Sequence, residues 1–163
     1  MISSPDLTVN DTGPKLLLWN AKERADRPAM REKYLGIWQT WSWNEMASEV
    51  EAISGGFKAL GLERGDRISI VGDNRPRLYW SIIAAQSIGA VPVPVYQDAV
   101  AEEMQYVLEH AESRFIICED QEQVDKVLQI KNECPRIDTI LYADDRGMRD
   151  YNQTFLKNFD DVV

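Results

Sequence analysis

The sequence predicts an α/β fold, a mainly parallel sheet flanked by helices and preceded by a small N-terminal β-hairpin. Three observations carry this. Short apolar and β-branched runs stand at residues 67–71, 115–118 and 139–142. Segments with helical spacing separate them, of the length that right-handed βαβ crossovers need, so the sheet is expected to be parallel and covered on both sides. The chain has 163 residues, 44% hydrophobic and 28% charged, which is the size and composition of one ordinary globular domain.

Each element has its own signal. Pro14 to Ala25 reads as a helix, with proline at a plausible first position and Leu17, Ala21 and Ala25 at helical spacing. Residues 29–41 are extended in character, and Leu35-Gly36 supplies a turn, so a hairpin is expected. Ser42 and Glu45 have capping-box spacing. Trp43, Met46, Ala47, Val50, Ile53, Phe57 and Leu60 follow at three- and four-residue steps until Gly61 stops the helix. A strand at Arg67–Val71, a helix at Pro76–Ile88 and an extended run at Val91–Tyr96 come next. Pro92 and Pro94 lie two residues apart, so both missing amides fall on one side of that run and mark an edge or an irregular join. Then follow a helix at Ala101–Ala111, a strand at Phe115–Cys118, a helix at Gln121–Cys134 and a strand at Thr139–Tyr142. The tail from Asp144 is polar, with weak helical periodicity in YNQTFLKNF. The expected organisation is a single domain over 1–163, loosely ordered at 1–13 and 144–163.

Charge excludes one class of partner. Lys and Arg number 18 against 27 Asp and Glu, a net charge of −9, and the clustered positive surface of a nucleic-acid binder is missing. The N-terminus lacks a basic start followed by an apolar run, and no stretch approaches the ~20 apolar residues of a transmembrane helix. A cytoplasmic location is expected. Cys118, in the run RFIIC, reads as a buried strand thiol, and both it and Cys134 are expected to be reduced. His110 is the sole histidine, so a histidine-based metal cage is ruled out and no metal site is assigned.

One turn invites a ligand. Gly72, Asp73, Asn74 and Arg75 follow a strand and open a helix at Pro76, the place where a phosphate can meet a helix N-terminus. Gly72, Asn74 and Arg75 are the candidate binding residues. Against them, one glycine is far from GxGxxG, Pro76 has no amide and Asp73 would repel an anion. The competing reading is a tight connection in which Asp73 or Asn74 caps the helix. Of the five tryptophans, Trp43 and Trp80 fall in apolar helical patterns and are core candidates. Trp38 and Trp41 lie on the hairpin, where an aromatic packs inward or anchors a partner.

Five segments in order give a resemblance: WSWNEM, GLERGDRISIVGDNRP, LYWSIIAAQSIGA, PVPVY and the later Glu103. Together they resemble the N-terminal portion of AMP-forming acyl-CoA synthetases, and LLLWNAKERADRPAMREK and LYADDRG lean toward the long-chain fatty acid branch. The resemblance implies a partial N-terminal subdomain of an adenylate-forming enzyme. It also implies ATP, magnesium and CoA as cofactors of the full-length family, which makes acyl-CoA, AMP and pyrophosphate from a fatty acid. The family's Ser/Thr/Gly-rich phosphate loop ending in Pro-Lys-Gly has no counterpart here; the only Pro-Lys, Pro14-Lys15, opens a helix. The family's adenine-binding segment, ribose-binding aspartate, magnesium-binding glutamate and C-terminal lysine have no matching positions either. No catalytic residue and no cofactor is therefore assigned to this chain, which is expected to be a structural fragment, inactive alone, whose partner is the remainder of the ligase. Exposed apolar surface would allow a homo-oligomer, and the full-length enzyme is expected in the cytoplasm or peripheral to a membrane. The alternatives are a free-standing interaction module of the same fold and a small nucleotide-binding domain using Gly72 to Arg75.

Overall fold

A computed structural model describes residues 4–163. The expected looseness of 1–13 falls partly on residues 1–3, outside the described residues. Helix α1 (Gly13–Arg24) is capped by Thr12, whose side chain accepts from the Lys15 amide, and its buried residue is Leu17. Strands β1 (Pro28–Tyr34) and β2 (Ile37–Ser42) form an antiparallel hairpin of their own, with Tyr34 opposite Ile37 at the tip. Helix α2 (Trp43–Ala59) starts on the expected capping box. The Ser42 amide donates to Glu45 Oε2 at 2.7 Å, and the Glu45 amide donates back to Ser42 Oγ at 3.2 Å.

The main sheet contains β3 (Arg67–Val71), β4 (Val91–Val95), β5 (Phe115–Cys118), β6 (Thr139–Tyr142) and β7 (Leu156–Asn158), all parallel, in the order β4-β3-β5-β6-β7. Helices α3 (Pro76–Ser87), α4 (Ala101–His110) and α5 (Gln121–Gln129) make the crossovers. The pleat sorts each strand between two cores. Ile68, Ile70, Phe115, Ile117 and Leu141 face a cluster with α1, α2 and α3, while Val71, Ile116, Cys118 and Ile140 face one with α4 and α5. Ser69 is fully buried, and its hydroxyl pairs with that of Ser113 at 2.7 Å, which removes the cost of an unpaired polar group there.

The two prolines act as read. The Val91 amide donates to the Asp66 carbonyl, so alternation turns the nitrogens of Pro92 and Pro94 away from β3. β4 is the sheet's edge.

Two expectations are corrected. α5 ends at Gln129, not Cys134; Pro135 biases its predecessor to extended backbone, and the chain leaves the helix through a turn. The tail from Asp144 is not helical. It holds a 3-10 turn at Met148–Asp150, then β7, then a 3-10 turn at Phe159–Asp161. Phe159 is buried edge-on to Phe57, with ring centroids 6.4 Å apart. Pairing with β6, a tertiary contact, makes a strand of three residues too few to show a period.

Candidate functional site

The strand order reverses between β3 and β5. α3 carries the chain from β3 to β4 on one side, and the chain then crosses to β5 on the other. Crevices form at such points, outside the carboxyl ends of the strands. Here that crevice is a cleft of about 430 Å³ bounded by the start of α3, the residues after β5 and β6, and the hairpin. Its apolar wall is Trp41 against Trp80, 5.3 Å apart and edge-to-face. Most of its remaining lining residues are charged.

Glu119 organises the turn. It follows directly on β5, and one carboxylate oxygen accepts from the Asp73 amide while the other accepts from Arg75 Nε. Arg75 Nη1 also donates to Glu32 of β1 at 2.9 Å, tying the hairpin to the sheet. Partial burial works against the Arg75 charge, but Glu119 and then Glu32 outweigh it and hold the guanidinium above its usual range. Beyond Arg75, Arg77 donates to the Ala143 carbonyl at 3.2 Å, pairs with Asp160 at 2.8 Å and lies over the Phe159 ring. Arg146 pairs with Asp144, and its hydrogen bond holds that carboxyl below the usual carboxylate range.

Of the candidate residues, the structure brings Gly72 and Arg75 together around Glu119 and leaves Asn74 outside. Gly72 has φ +154, and a Cβ built there would lie 2.5 Å from Glu119 Cβ, so a glycine is required beside the carboxylate. Asn74 is exposed, and its Oδ1 accepts from the Tyr79 hydroxyl at 3.0 Å. The cap reading needs correction. The N-cap of α3 is Arg75, with no side-chain cap, because Pro76 at the first position leaves fewer amides to satisfy. Sequence reading missed Glu119 and Glu32. The available signal for Glu119 was its place immediately after the buried run FIIC, at a strand's carboxyl end.

The donors of this turn do not fit a nucleotide phosphate. The Asp73 amide and the Arg75 guanidinium, which would meet an anion, are both engaged by carboxylates, and the lining adds Asp144, Asp145 and Asp160. Among the described residues, no group of three or more His, Cys, Asp or Glu side chains is arranged to hold a metal ion.

A parallel sheet wound in this order, with its cleft at the reversal, defines a doubly wound α/β protein. Residues 17–161 match the AMP-binding enzyme family, and the chain belongs to that family. It is 37% identical over 89 residues to the uncharacterized protein Rv1549 of Mycobacterium tuberculosis, a stretch that is 55% of this chain and 50% of that protein. It is 27% identical over 143 residues to the long-chain-fatty-acid–CoA ligase ACSBG2 of Xenopus laevis, covering 88% of this chain and 19% of the ligase. The coronafacic acid ligase of Pectobacterium brasiliense has the same fold over 92% of this chain and 29% of its own, with a TM-score of 0.80 at 21% identity. This chain is therefore similar to a portion of long-chain-fatty-acid–CoA ligases, and it spans half or less of the length of these relatives.

Proposed function

We propose that this chain is a structural part of a fatty acid CoA ligase and that it catalyses nothing by itself. One observation carries the reading. The family match runs from residue 17 to 161, yet the one turn in it that could meet a phosphate has its donors taken by Glu119 and Glu32. In this reading the ATP, magnesium and CoA of the full ligase are held by the polypeptide that completes it, and the chain supplies a sheet and helices for that polypeptide to pack on. Its location is the cytoplasm. Gly72 and Arg75 serve to seat the turn against β5, and Asn74 has no part in binding.

Calorimetric titration of the folded chain with ATP and magnesium tests this. The expected result is no binding heat, together with no pyrophosphate release when a fatty acid and CoA are added. Saturable one-to-one binding, lost in Arg75→Ala, would overturn the reading and make the chain a small nucleotide-binding domain.

A second reading has an observation of its own. The 89 residues shared with Rv1549 make up half of that protein, which is thus about as long as this chain. A free-standing interaction module of this fold accounts for a short relative. Capture of a ligase polypeptide by the purified chain supports the first reading; stable binding of an unrelated protein, with no affinity for a ligase, supports the second.

A further inference from the structure

We propose that the tip of the β1–β2 hairpin docks on an anionic lipid surface. Leu35 and Gly36 form its two-residue turn, with φ +47 and +82. Positive φ at both central positions is the geometry that favours Asn-Gly, so a leucine at the first position opposes the local backbone preference. Packing does not explain it, since Leu35 is 82% exposed.

The rungs below the turn extend the pattern. Tyr34 stands opposite Ile37 on the first rung, and Lys33 opposite Trp38 on the second. Tyr34, Ile37 and Trp38 are 47%, 66% and 64% exposed, so four large apolar side chains share one protruding end. On the fourth rung Arg31 stands opposite Thr40. Arg31 and Lys33 are exposed and make no ion pair among the described residues, while Glu32 between them is held by Arg75. A locally cationic tip on a chain of net charge −9 calls for a negatively charged partner. From the apex the side chains run Leu35, then Tyr34 with Ile37, then Trp38 with Lys33, and then Arg31. That is the depth order of a bilayer interface, where alkyl groups enter the acyl boundary, tyrosine and tryptophan lie among the headgroups, and lysine or arginine meets phosphate. None of the described helices is long and apolar enough to span a bilayer, so the contact is at the surface. The inference stands independently of the proposed ligase role.

Sedimentation of the 163-residue chain with phosphatidylcholine vesicles, with and without phosphatidylserine, tests it. Binding several-fold stronger to the anionic vesicles, weakened by salt, is expected. Leu35→Asn suits the turn, so it should keep or raise the melting temperature while lowering the bound fraction several-fold, and Lys33→Glu should abolish the preference for phosphatidylserine. No sedimentation with either vesicle, or equal binding by the folded Leu35→Asn protein, would overturn the proposal. Self-association without lipid that Leu35→Asn removes would also overturn it, by assigning the tip to a second copy of the chain.

Discussion

At Gly56, in the last turn of α2, the backbone itself leaves no room for a side chain. A Cβ there would lie 2.3 Å from the carbonyl oxygen of Val162, and a backbone atom cannot swing aside as a side-chain end can. Gly56→Ala is expected to cost about 1–3 kcal/mol, the usual range for overpacking, although alanine is the better helix former. Thermal or urea unfolding checks this, and an unchanged midpoint would mean that the C-terminal turn is not seated on α2. At Asn74 the expectation is the opposite. Among the described residues its only side-chain partner is the exposed Tyr79 hydroxyl, so Asn74→Ala should change stability by no more than about 0.5 kcal/mol, where a true cap would cost about 0.5–2. The carboxylates give a pH dependence. Asp144 is held below its ordinary range by Arg146, and Glu45 is held down by the Ser42 amide and then its hydroxyl. A folded-state pKa below the unfolded one contributes stability that is complete above the ordinary carboxylate range and is lost as pH falls through the depressed value. Urea midpoints should therefore be flat near neutrality and fall on acidification. Glu45→Gln and Asp144→Asn should each flatten part of that fall.

Elements were legible in proportion to how far local signals agreed. α2 was plain because seventeen residues carry one stripe and a reciprocal cap, and two prolines alone marked β4 as an edge or an irregular join, of which the structure shows the edge. β3, β5 and β6 needed only their short apolar runs. β7 was not legible, since three residues cannot show an alternation and its strand character comes from β6, fourteen or more residues earlier. The candidate site failed for a related reason. The turn at Gly72 to Arg75 stood out through its glycine and its position, but its partners Glu32 and Glu119 lie 43 and 44 residues from Arg75, and only the topology brings them there. The tail's anchor gives a test at this scale. Phe159 is 2% exposed, meets Phe57 edge-on and lies beneath Arg77. Phe159→Ala should cost about 3–5 kcal/mol, as buried aromatics do. A cost below about 1 kcal/mol, measured by urea unfolding, would show that β7 and its following turn are accessory to the fold.

Two cores on opposite faces of one sheet raise the question of whether the molecule unfolds as one body. β5 argues that it does, because Phe115 and Ile117 enter the core of α1 to α3 while Ile116 and Cys118 enter that of α4 and α5, so neither can open without disturbing the strand they share. Cys118 is a natural reporter of this. It is fully buried, and burial, with Asp120 adding to it, pushes its thiol far up and out of the reactive range. A thiol reagent should modify it only through an opening that exposes β5, at a rate that rises with urea as steeply as global unfolding does. The decisive comparison uses Gly56→Ala, which perturbs the opposite core. If the sheet couples the layers, that variant should accelerate Cys118 modification by the factor its loss of stability dictates, about tenfold for each 1.4 kcal/mol when closing is faster than labelling. If Gly56→Ala lowers the unfolding midpoint but leaves the Cys118 rate unchanged, the α4–α5 layer opens on its own. The sheet would then be two half-domains rather than one cooperative platform.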